Sequence, residues 1–94
     1  MITIVWATDA RLQYFKVLEY LYEEWGELVA LDFEELILIN EAQIKSGIVR
    51  YPFSISLGFE KCVIDKYNSL IFKRANELIE VVALIDNRSN HPYY

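Results

Sequence analysis

The opening segment most constrains what this chain can fold into. Ile4-Val5-Trp6-Ala7-Thr8-Asp9-Ala10 passes from a β-branched and aromatic run to helix-capping chemistry, and Leu18-Glu19-Tyr20-Leu21-Tyr22-Glu23-Glu24-Trp25-Gly26 closes an amphipathic stretch on a glycine. Residues 2–8 read as a buried strand. Thr8 or Asp9 offers an N-cap oxygen, and Asp9 also suits the positive end of a helix dipole. From 9 to 25 the spacing is helical: Tyr14, Val17, Leu18, Leu21 and Trp25 form one stripe, with Arg11, Lys16, Glu19 and Glu23 away from it. Gly26 stops this helix, because a residue without Cβ takes the left-handed cap without strain.

A second helix is expected from Leu28 to Lys45, with Phe33, Ile37, Asn40 and Ile44 on one stripe and Ser46-Gly47 as its stop. The run Leu36-Ile37-Leu38-Ile39 spreads apolar character around most of its circumference, so it must be covered on more than one side. Residues 48–58 contain Tyr51-Pro52 and Gly58 and read as a loop in which Ile55-Ser56-Leu57 pair briefly at most. A meander follows: strand two over 59–64, a turn at 65–68, strand three over 69–74, a tight turn at Ala75-Asn76, and strand four over 77–86 with the core run Val81–Ile85. The order is β-α-α-β-β-β, an α+β arrangement in which a helical hairpin packs on one face of a mostly antiparallel sheet.

Ninety-four residues make one domain with one core. Hydrophobic residues are 54% of the chain, which excludes disorder and leaves apolar surface for a partner. The net charge of −5 argues against broad nucleic-acid binding, where phosphate contacts demand a basic excess. One cysteine, Cys62, excludes an internal disulfide and any CxxC metal site and fits a reduced compartment; in its strand it reads as an inert buried thiol. No signal peptide and no membrane-length apolar run is visible.

Four motifs, weak singly and diagnostic together, resemble the RelE/ParE superfamily of small bacterial toxins over about the whole chain. They are the strand-end Trp6-Ala7-Thr8 with Ala10, the Tyr20–Trp25-Gly26 helix end, the strand-three Leu70-Ile71-Phe72-Lys73, and Ile79-Glu80-Val81-Val82-Ala83-Leu84-Ile85 followed by Asp86-Asn87-Arg88. The resemblance implies the toxin half of a type II toxin–antitoxin pair: a cytoplasmic growth inhibitor needing no cofactor or metal. A small antitoxin wrapping its helices and sheet would neutralise it, in a hetero-oligomer or alongside a homo-oligomer.

The superfamily divides by target. RelE-like members cut mRNA in the ribosomal A site, using Lys and Arg side chains to stabilise the scissile phosphate and a Tyr or His near the C-terminus. ParE-like members lack that set and poison DNA gyrase by protein–protein contact. Carried over position by position, the first strand-two basic residue is Lys61, the second position holds Val63, the strand-three arginine position falls near Ser69, and the strand-four basic position is Arg88. The ending His91-Pro92-Tyr93-Tyr94 supplies a histidine and a terminal aromatic. The half-present set, with the acidic balance, favours the ParE-like reading. The alternatives are a ribosome-dependent mRNA endonuclease with Lys61, Arg88, His91 and Tyr93 as its site, and an inactive or decayed toxin homologue.

Each candidate also has a plainer structural reading. Lys61 alternates with Glu60 and Cys62 and fits a solvated strand face, Arg88 fits an ion pair with a nearby carboxylate, and His91 sits in a terminal tail. Tyr14, Tyr20, Tyr22 and Trp25 read mainly as core and rim of the first helix; the alternative is a contact surface for an antitoxin helix, with Tyr22 as its named contact. The stronger candidates for an antitoxin contact are Leu36, Ile37, Leu38 and Ile39. The pairs Glu23-Glu24 and Glu34-Glu35 point in different directions on their helices and read as solvated charge.

Overall fold

Strand-to-helix chemistry at the start of the chain produces β1 (Thr3–Trp6), α1 (Thr8–Trp25) and α2 (Glu27–Ser46), followed by β2 (Phe53–Ser54), β3 (Phe59–Val63), β4 (Asn68–Ala75) and β5 (Leu78–Asp86). These elements come from a computed structural model that describes residues 1–89. The sheet order is β1-β5-β4-β3-β2. β1 runs parallel to β5, from Thr3 opposite Leu78 to Trp6 opposite Val81, and the other neighbours are antiparallel. The expected β-α-α-β-β-β order is therefore present, with the two-residue strand β2 added at one edge.

Both helices lie on one face of the sheet. Ala10, Phe33, Ile37 and Ile44 meet Cys62, Leu70, Phe72, Ile79, Val81 and Leu84 there, with Tyr14, Val17, Leu18 and Leu21 packed around them. A smaller cluster of Ile71, Ala83 and Ile85, with Phe59 and Val82, occupies the opposite face. A register shift separates the two. Ile71 pairs with Ala83 but Phe72 with Val81, so Val82 is an extra residue in β5. Side chains alternate faces along a strand, so this bulge reverses the phase: Ile79 and Val81 face the helices before it and Leu84 after it. The continuous apolar run of β5 is thereby buried on both faces.

Several boundaries differ from expectation for local reasons. α1 begins at Thr8, its N-cap is Ala7, and no side chain caps it. The Ala7 N–H still bonds the Val81 carbonyl at 2.9 Å, so strand pairing rather than a hydroxyl or carboxylate fixes the start. Gly26 ends α1 at φ 97°, and its N–H donates to the carbonyls of Leu21 and Tyr22. Brief pairing occurs two residues before the expected site: Phe53 and Ser54 pair with Glu60 and Phe59, while Ile55–Gly58 form the turn between them. The β4–β5 turn holds Asn76 at φ 55°, as a two-residue hairpin loop requires. Of the α1 aromatics, Tyr14 packs against the core, whereas Tyr20, Tyr22 and Trp25 are exposed. Trp25, the last residue of α1, stands at the exposed end of its stripe, on the rim and not in the core.

Candidate interaction site

α2 is anchored at three points that decide which of its residues remain outside. Asn40 donates to the Leu36 carbonyl at 2.8 Å and accepts from the Cys62 thiol at 3.4 Å. Glu41 accepts the Trp6 indole N–H at 2.8 Å, which ties α2 to β1. At the far end the Ile44 carbonyl accepts a 3.0 Å bond from Arg74, whose guanidinium also bonds Glu60 at 2.8 Å. These ties split the Leu36–Ile39 run. Ile37 is 2% exposed and belongs to the core, so it is not a surface contact. Leu36 is half-buried against the core. Leu38 and Ile39 are 64% and 48% exposed and stand open. Tyr22 is open as well.

Beside the helices, between them and the β3–β4 turn, runs an open groove of about 880 Å³. Val17, Leu21, Phe33 and Leu36 contribute apolar lining, and the exposed aromatics Tyr20, Trp25 and Tyr67 also line it. Tyr20 and Trp25 belong to the aromatic group whose alternative reading is a contact surface for an antitoxin helix, whereas Tyr67, in a turn, carries no such signal in the sequence.

The groove's strand end is built by local hydrogen bonding. Asp65 accepts the N–H groups of Tyr67 and Asn68, both at 2.8 Å, which closes the turn. Asn87 then clamps β5 to it: its amide donates to the carbonyls of Asp65 and Lys66, both at 3.1 Å, and its oxygen accepts from the buried Ser69 hydroxyl. Arg88 follows directly. Its guanidinium forks onto Asp86 at 2.9 and 3.1 Å and lies over the Tyr67 ring, 5.0 Å from the centroid. The hydrogen bonds from Arg88 hold the Asp86 carboxyl down at about 2.

Of the phosphate-stabilising candidates, the two that lie among the described residues, Lys61 and Arg88, are not brought together. Lys61 lies opposite Ile71 on the sheet face away from the helices and is half-buried. The row joining Asn68 to Asp86 is three rungs along the sheet from the row joining Ile71 to Ala83, a separation of about 10 Å along the strands. Arg88 lies beyond that and is committed to Asp86 and Tyr67. Val63 is exposed where a second cation was sought, and Ser69 is 0% exposed with its hydroxyl used by Asn87. Lys73, on the same face, pairs with Glu80 at 3.3 Å. His91 and Tyr93 lie outside the described residues.

Cys62 is 1% exposed, and burial pushes its thiol up to about 11, which suppresses the nucleophilic thiolate at neutral pH. Among the described residues no group of three or more His, Cys, Asp or Glu is placed to hold a metal ion. No helix among them is long and apolar enough to cross a membrane. The arrangement offers apolar and aromatic surface for binding.

Neither the protein-family models nor the curated proteins searched contain a match to this chain. A solved structure does match: one titled "Chromosomal ParDE TA system from P. aeruginosa" aligns at 16% identity, TM-score 0.72, over 92% of this chain and 96% of that one. At that identity the likeness is one of fold: residues of this chain form the same architecture as a chain of that ParDE system.

Proposed function

We propose that this protein is the toxin of a type II toxin–antitoxin pair, a ParE-like growth inhibitor that acts in the bacterial cytoplasm by protein–protein contact, with DNA gyrase as its target. Fold alone does not assign an activity. The supporting observation is the fold shared with a chain of a ParDE system, taken together with the dispersal of the cationic residues that RNA cleavage would need. Lys61 lies within β3 whereas Arg88 lies beyond the end of β5, and Arg88 is already neutralised by Asp86. An electrostatic mechanism for a phosphoryl transition state depends on preorganised, convergent donors.

In this reading the antitoxin neutralises the protein by covering its helical hairpin, with Leu38, Ile39 and Tyr22 among its contacts and Leu36 at the groove margin. Leu38, Ile39 and Tyr22 expose apolar area that no described element covers. The toxin–antitoxin complex is then the resting form of the chain. The test is growth. Induced expression in a bacterial host arrests division, and co-expression of the product of the adjacent reading frame restores it. Unimpeded growth at high expression of folded protein overturns the proposal.

A further inference from the structure

The outer sides of the two helices carry the same pattern. On α1, Leu12, Phe15, Glu19 and Tyr22 follow one another at spacings of 3, 4 and 3 residues; on α2, Leu28, Leu31, Glu35 and Leu38 do the same. Both lines lie away from the core-facing stripes, and all of their residues are exposed, Leu28 by 77%. The 3-4-3 spacing is that of a coiled-coil seam, which takes a helix with apolar residues at matching intervals. Each seam is interrupted by a carboxylate, and among the described residues neither Glu19 nor Glu35 forms an ion pair. The surrounding charge has the same sign: the two helices carry nine carboxylates against three cations.

We propose that the outer face of the hairpin docks a basic amphipathic α-helix, whose apolar seam covers Leu12, Phe15, Tyr22, Leu31 and Leu38 and whose Lys or Arg residues neutralise Glu19 and Glu35. Charge complementarity selects this occupant. A second copy of this chain would bring one carboxylate-rich helix face against another, and an anionic lipid surface would meet the same charge. The inference deepens the toxin reading and rests on it for the partner's biological role: the neutralising segment of the antitoxin is a basic helix. The surface chemistry itself follows from the seams.

The test uses the full chain and two synthetic helical peptides of about three heptads with Leu at the seam positions, one flanked by Lys and one by Glu. Fluorescence anisotropy measures binding at about 50 mM and about 500 mM salt. The Lys peptide binds at least about tenfold tighter than the Glu peptide at low salt, and the difference narrows at high salt. L38D weakens it by about tenfold or more, and the double variant E19K/E35K reverses the preference between peptides. All three positions are exposed, and circular dichroism confirms that the variants fold. Equal binding of both peptides, indifference to both variants, or a dimer in sedimentation that L38D converts to monomer overturns the proposal. A chain that arrests growth yet shows no preference for the Lys peptide keeps its toxin reading and loses this one.

Discussion

Ile37 and Leu38 are neighbours in one apolar run, and the structure assigns them opposite jobs. Truncating each to alanine separates those jobs. Ile37→Ala removes three carbons from a site 2% exposed, a transfer loss of about 2.4 kcal/mol at about 0.8 per carbon. The cavity left among Phe33, Leu70 and the other core residues raises the total to about 3–4 kcal/mol. That is a large share of the stability of a domain this size, about 5–15 kcal/mol. Leu38→Ala removes the same number of carbons from a side chain already 64% exposed, so stability changes by about 0.5 kcal/mol or less. Its cost appears on binding: scaling the same transfer term by the 64% exposure gives about 1.5 kcal/mol, or about twelvefold in Kd. Urea unfolding followed by circular dichroism reads the first effect, and calorimetric titration with the antitoxin reads the second. Equal destabilisation by the two substitutions would refute the assignment of Ile37 to the core and Leu38 to the surface. Unchanged antitoxin affinity in Leu38→Ala would remove Leu38 from the interface.

The Cys62 thiol titrates near 11 when folded against an ordinary 9.0, so between those values the unfolded chain releases a proton that the folded chain keeps. Stability therefore falls as pH rises through that window. Cys62→Ala flattens the fall without abolishing it, because burial raises Tyr14 and Tyr51 in the same sense; denaturant titrations at a series of alkaline pH values measure the slope. Asn87→Ala strands the buried Ser69 hydroxyl and frees the Asp65 and Lys66 carbonyls, costing about 1–3 kcal/mol, and it speeds hydrogen exchange at Tyr67 and Asn68. Arg88 holds the Asp86 carboxyl at about 2, so their fork is complete at neutral pH and lost only as pH falls towards that value; Arg88→Ala should return the midpoint towards the ordinary 3.8, which a carbon-detected NMR titration of both proteins would check.

The helices were legible because their period is written in spaced residues. Phe33, Ile37, Asn40 and Ile44 fix the inner stripe of α2, and the structure places Asn40 there by bonding it to Leu36 and Cys62. That stripe already assigned Ile37 to the core; treating Leu36–Ile39 as one block obscured it. Gly26, Gly47 and Asn76 announced their turns through conformations that other residues resist. The β5 bulge left no such mark, because Val81–Ile85 is apolar throughout and a run without polar residues carries no phase. The pairing of Phe53 and Ser54 depends on partners in β3 rather than on local pattern. The candidate nuclease residues were chosen by position in the chain, and the fold then placed Lys61 on the row of Ile71 and Ala83 and left Arg88 beyond the end of β5. The paired Glu19 and Glu35 seams were present in the sequence but emerge only once the inner faces are known.

The central claim is inhibition by contact rather than by RNA cleavage, and one paired assay tests it most directly. Purified protein is added to a DNA gyrase supercoiling reaction and to a translating extract programmed with a single mRNA, alongside the variant K61A/R88A/H91A. The account predicts blocked supercoiling and intact transcripts, with the triple variant giving no change in the transcripts. Transcripts cut on the ribosome by the native chain and spared by the variant, with supercoiling unaffected, would contradict it.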